Sequence, residues 1–319
     1  MLAATTATVL IPLTAAPAAA AQIEFECIDE QTDDKDDTPY YDARFTPGPP
    51  IGQTVLDGYI PQGLTTWRDY YGDGKDLLVY TAYDEDGDTN RAVMQGVDPR
   101  DDSLTNIVYI GPGHAGGVAI HGEWAYVSAP GEQVRRYGLK NLRDRFEVVE
   151  TGPMNGRPAG EVEGPASFLA VKGDTLFVGR HDEDKRSSMR KYQIDPENGK
   201  ISGPVGEPIR VPKKTQGLLV LDKHFVYSTS LGRDNRSNVY VVGRGFKKLE
   251  RAYEAGQLEC FRAPTMSEGV TISQDRIYLA FESGASFYAD NEGGSSLGVT
   301  DRVIKDLQSA DRDSLPLSP

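Results

Sequence analysis

The sequence predicts an all-β protein, a five-bladed β-propeller closed by an N-terminal strand. Three observations carry that expectation. One pattern recurs five times at a spacing of about fifty residues: a small or polar residue, an alternating apolar run, a polar turn and an apolar triplet. Gly and Pro, at 34 and 20 residues, supply the turns that many short strands need and a helical bundle does not. The last repeat runs short of an outer strand, and the segment ahead of the first repeat holds residues to supply it.

Taken in chain order, residues 1–21 carry no charge and place Val9–Leu13 ahead of Ala18–Ala21, the apolar centre and small-residue cleavage site of a secretory leader. No positively charged stretch precedes that centre, so the natural start is expected upstream of Met1. Residues 22–59 form an N-terminal extension with the closing strand, and residues 60–319 the propeller. The chain has two cysteines, Cys27 and Cys260. An even count in an exported protein predicts one disulfide, and no C-x-x-C spacing points to redox or zinc chemistry.

The repeats begin at Gln62-Gly63-Leu64, Gly116-Gly117-Val118, Ser167-Phe168-Leu169, Gln216-Gly217-Leu218 and Glu268-Gly269-Val270. Their triplets are Leu77–Val79, Ala125–Val127, Leu176–Val178, Phe225–Tyr227 and Ile277–Leu279. Third strands are expected at Ala92–Met94, Val134–Tyr137, Met189–Ile194 and Val239–Val242, and outer strands at Asn106–Ile110 and Phe146–Val149. Gly at the start of most inner strands suits backbones crowded around a channel. For blade five the expected third strand is Val299–Ile304. The closing strand is expected at Tyr40–Phe45 or at Ile23–Phe25, with Cys27–Cys260 stapling it beside the entry to blade five.

The leader, the acidic chain and the phrase Tyr59-Ile60-Pro61-Gln62-Gly63-Leu64-Thr65 resemble secreted five-bladed propellers of actinobacterial type, among them the family of the dispase autolysis-inducing protein. That resemblance implies a non-catalytic protein acting on an extracellular metalloprotease.

The charge balance, 34 Lys+Arg against 48 Asp+Glu, gives a net −14 and argues against nucleic acid and anionic membrane surfaces. Residues at or just before the blade starts face the channel mouth in this architecture: Gln62, His114, Ser167, Gln216 and Glu268, with Glu163 four residues before Ser167. Such a ring of carboxylates, amides and a histidine suits Ca²⁺ or a small polar ligand, since hard cations take several oxygens. The acidic hairpin Asp84–Asn90 departs from a calcium loop in its Gly position. Gly294-Ser295-Ser296-Leu297-Gly298 matches the nucleophile-elbow letters without the strand before the Ser and the helix after it. His121 and His224, in or beside turns, and the basic run Lys213-Lys214 with Arg210 read as surface features.

The functional expectation is therefore a secreted, monomeric propeller that binds an extracellular protein or polymer on its loop-bearing face. The alternative is a Ca²⁺-dependent hydrolase or lyase using Glu268, Glu163 and His114 around the channel. Glutamines outside the blades, Gln31 and Gln308 foremost, are expected to be mobile and open to transglutaminase cross-linking.

Overall fold

The computed structural model describes residues 25–29, 37–84, 91–131, 133–149, 152–289 and 302–317. The leader, Gln31, the hairpin residues 85–90 and the glycine-serine stretch 294–298 lie outside them. A short helix α1 (Pro39–Asp42), a strand β1 (Thr46–Pro50) and a helix α2 (Gln53–Gly58) lead into the ring. Blade one contains β2 (Tyr59–Trp67), β3 (Leu77–Asp84), β4 (Ala92–Val97) and β5 (Val108–Ile110). Blade two contains β6 (Val118–His121), β7 (Trp124–Ala129) and β8 (Gln133–Gly138), then helix α3 (Leu139–Glu147) and β9 (Arg157–Glu161). Blade three contains β10 (Phe168–Lys172), β11 (Thr175–Gly179), β12 (Ser188–Ile194) and an outer strand in two pieces, β13 (Ile201–Ser202) and β14 (Ile209–Arg210). Blade four contains β15 (Thr215–Val220), β16 (His224–Thr229) and β17 (Ser237–Gly243), then helix α4 (Leu249–Glu254) and β18 (Leu258–Ala263). Blade five contains β19 (Ser267–Ser273), β20 (Arg276–Phe281), the short helix α5 (Ser286–Ala289) and β21 (Asp306–Asp311). The five sheets are antiparallel, and each inner strand packs beside the next around a closed circle, β19 against β2 included.

Alternation along the strands serves two cores at once. Leu77 and Val79 of β3 pack forward with Val127 and Phe146 of blade two, while Leu78 and Tyr80 pack backward with Ala280 and Leu307 of blade five. The same division fills the other three boundaries, giving five cores between neighbouring blades. Each fully buried side chain there contributes about 1.5–3 kcal/mol of transfer free energy. Close approach at the centre requires glycine. A Cβ on Gly269 would stand 2.3 Å from the amide nitrogen of Leu64, and one on Gly217 2.4 Å from the carbonyl oxygen of Glu268.

Closure comes from the N-terminus, through a different segment from either expected. The fourth strand of blade five is β1, paired with β21 at Thr46↔Ser309 and Pro47↔Gln308, whereas residues 39–42 are helical. A strand reading Thr-Pro-Gly-Pro-Pro lacks three amide donors, which only a sheet edge tolerates. The third strand of blade five is likewise Asp306–Asp311 rather than Val299–Ile304. Its Leu307 faces blade one and its Ala310 faces blade four.

Phe146 ends a helix instead of starting an outer strand. Leu139, Leu142 and Phe146 recur at helical spacing and bury one face against Trp67 and Tyr70 of blade one, which leaves β9 to complete blade two.

Cys27 and Cys260 are bonded, with Cα atoms 4.6 Å apart. The amide of Ile28 donates to the carbonyl of Cys260 at 2.8 Å. Phe25 packs on Tyr253, with the guanidinium of Arg186 over its ring. The staple thus holds the N-terminal segment on the outer strand of blade four, and not on the closing strand itself. Among the described residues, no helix is long and apolar enough to cross a membrane.

Candidate binding site at the channel mouth

Three blades start their inner strands with the same distortion. Pairing slips between Pro61 and Leu64 in blade one, between Thr215 and Gly217 in blade four, and between Ser267 and Val270 in blade five. These are β-bulges at Gln62, Gln216 and Glu268. A bulge bends its strand and re-aims a side chain, and here the side chains meet. The Gln62 amide Nε2 donates to the Glu282 carboxylate, and the Gln216 side chain bonds that of Glu268. Glu282 follows directly on β20, one residue past the partner of Ser267. The equivalent register position is Tyr83 in blade one and Ser230 in blade four.

Both carboxyls are buried, Glu268 at 1% exposure and Glu282 at 8%. Burial raises Glu282 to about 7, against the opposing hydrogen bond from Gln62. Glu268 is pushed well above the ordinary carboxylate range by burial first and the charge of Glu282 second. The pair therefore holds at least one proton at neutral pH, as two interacting acids do. Among the described residues, neither forms an ion pair with Lys or Arg, and Oε1 of Glu268 has no hydrogen-bond partner.

Aromatic groups complete the wall. The hydroxyls of Tyr83 and Tyr288 bond each other, and both are raised by burial and by the charge of Glu282, Tyr288 to about 12. The His114 ring stacks on Tyr83 at 4.0 Å between centroids. Burial lowers the pKa of His114, with the charge of His181 second, and burial also lowers that of His181, so both imidazoles are neutral at pH 7. The cavity lined by His114, His181 and Tyr288 is about 580 Å³ and takes one side chain from the start of each of blades one to four, Gln62, His114, Ser167 and Gln216, with Glu282 from blade five.

Of the six residues singled out in the sequence, four line this mouth and Glu268 stands behind Glu282. Glu163 does not join them. It is exposed and paired with Nε of Arg190 at 2.8 Å, so the set Glu268, Glu163 and His114 is not assembled. Nor is there, among the described residues, any group of three His, Cys, Asp or Glu able to hold a metal ion. Glu282 and Tyr83 lie at the far end of the second strand of their blades, away from the blade starts that mark the other mouth residues in the sequence. The available signal was a carboxylate directly after the wholly apolar Ile277–Phe281, with no basic neighbour.

The glutamine expectation is corrected at Gln308, which lies in β21 at 8% exposure instead of in a mobile tail. Gln53 is exposed at the start of α2, its amide bonded to Asp57. His224 is buried in β16 and not at the surface, whereas His121 faces solvent in part and meets Asp174 at 2.8 Å. At the opposite ends of the inner strands a second cavity of about 930 Å³ opens, lined by Trp67, Ile120, Val171, Leu221 and Ile272.

No protein-family model matches this chain, and no curated protein matches it. Among solved structures, a chain of RRP9 WD40 repeats is similar at a TM-score of 0.44 and 9% identity, over 84% of this chain and 97% of that one. A chain of a nidogen/laminin complex gives 0.39 and 10% over 71% and 73%, and a Dos1 propeller 0.33 and 10% over 68% and 52%. At such scores the fold rests on this chain's own strand pairing, and that pairing makes it a five-bladed β-propeller closed by its N-terminal strand.

Proposed function

We propose that the protein is a secreted, non-catalytic propeller that binds an extracellular protein or polymer on the face around the Gln62–Glu282 mouth. The observation that carries this reading is convergence: one polar recess receives side chains from all five blades, and its amides and carboxyls already bond one another. The same face carries the connections Gly179 to Ser188 and Thr229 to Ser237, and the described residues 282–288 after β20. Loops on a rigid scaffold are where recognition concentrates. The leader and the disulfide support export. The resemblance in the leader and the blade phrase supports a secreted metalloprotease as the partner class, and Gln31 as a transglutaminase acceptor more reactive than the buried Gln62 or Gln308.

The test mixes the protein with an active-site-inactivated secreted zinc metalloprotease and follows complex formation by size-exclusion chromatography, with the active protease assayed for residual activity in parallel. A 1:1 complex and altered protease lifetime are expected. Absence of both would overturn the protease as partner. The raised carboxyls of Glu268 and Glu282 favour a second reading, acid–base chemistry at the channel aided by Ca²⁺. Metal analysis with chelator-dependent melting separates the two: a melt that chelator lowers would favour the enzyme.

A further inference from the structure

We propose that the mouth is a binding site for one organic cation, the ammonium or guanidinium of a lysine or arginine side chain presented by the partner. The inference rests on the reading of this face as the binding face and adds the chemistry it recognises. The cavity, about 580 Å³, is ample for one long side chain, and Glu282 forms part of its wall. Behind it, Glu268 is fully buried with Oε1 unpartnered among the described residues. A buried carboxyl pair without a cation is costly, and a cation inserted beside it removes that cost.

The groups facing the pair from other elements leave the negative charge uncompensated. His114 and His181 are neutral, and Glu183 at the rim is acidic. The Arg233 guanidinium lies 4.9 Å from the Tyr288 ring centroid and donates to the Tyr288 carbonyl oxygen, so its charge bears on the tyrosine rather than on either carboxyl. The net charge of −14 steers cations toward the molecule. A divalent metal fits less well: among the described residues no group of three His, Cys, Asp or Glu could hold one, and both amides already bond the carboxyls.

Binding has a proton signature. The empty pair keeps a proton that the incoming cation displaces to solvent. Affinity is therefore expected to rise about tenfold per pH unit below the titration of the pair and to level off above it.

The experiment is calorimetric titration of the full chain with N-acetyl-lysine methylamide at pH 5.5, 6.5 and 7.5, in two buffers of different ionisation heat. The uncharged norleucine analogue serves as control. Expected are binding that strengthens with pH, release of about one proton, no binding of the norleucine analogue, and at least tenfold weaker binding by Glu282→Gln. Equal binding of the norleucine analogue, or affinity indifferent to pH, overturns the proposal on the wild-type protein alone, whatever the variant's folding. Ca²⁺ binding that the lysine probe does not compete with overturns it too. A partner complex that Glu282→Gln leaves intact sinks this inference and spares the binding face. Lysine binding without any partner complex does the reverse.

Discussion

Burial raises Glu282 to about 7 and Glu268 well above its ordinary value, so folding retains protons that the unfolded chain releases above about pH 4.5. For an acid with a raised native pKa, stability is highest below the unfolded pKa. It falls as pH rises, until the native pKa is passed. Thermal melts should therefore drop between pH 5 and pH 8. Glu282→Gln keeps an acceptor for the Gln62 amide and removes the titration of that position, leaving the one of Glu268. It should exceed the wild type by roughly 2–3 kcal/mol at pH 8 and match it near pH 4.5. Parallel melting curves for the two proteins across that range would contradict the buried-pair account. At this scale the sequence was legible where the repeat supplied a coordinate. Gln62, Gln216 and Glu268 share a place before the same glycine and share a bulge in the structure. Glu282 and Tyr83 share one as well, at the far end of the second strand, where no recurring residue type marks it.

The first and second strands of each repeat, which carry both blade cores, were readable as apolar alternation, and they are where expectation and structure coincide; the third strand of blade five, Asp306–Asp311, was not. Nor were two further elements. The closing strand is built from prolines, which argue against a strand everywhere except at an edge, and an edge is a property of the finished sheet. The helix Leu139–Glu147 draws its stability from the Trp67–Tyr70 face of the preceding blade, a contact invisible in its own nine residues. The bulged inner strands carry the strongest local constraint. A Cβ at Gly269 would meet backbone atoms of Leu64 and Gln62, which cannot yield without moving blade one. Gly269→Ala should cost about 2–4 kcal/mol. Gly245→Ala, with nothing within 4 Å of the added carbon, should melt close to wild type. Equal melting of the two variants would mean that the blades are not in the close register described.

The molecule is a ring whose last sheet is completed by its first strand, so its two ends are held through one seam and the neighbouring blade. The Cys27–Cys260 bridge closes a loop of 233 residues and ties the N-terminal segment to blade four. Replacing both cysteines by serine should lower stability by about 2–5 kcal/mol, with a smaller loss in denaturant midpoint read as a bridge that adds little to the hydrogen bond of Ile28. The two mouths of the channel differ in chemistry as well as position. One gathers Gln62, Gln216, Glu282 and Tyr288, and the other mixes apolar strand ends with charged groups such as Arg68, Lys172, Asp222 and His121, the last paired with Asp174. Binding at the first is the central claim. Hydrogen-exchange mass spectrometry of the protein with an inactivated secreted metalloprotease tests it most directly. Protection is expected in residues 111–117, 180–187 and 230–236 around the Gln62–Glu282 mouth. Protection confined to residues 121–124, 172–175 and 221–224, at the opposite mouth, would contradict it.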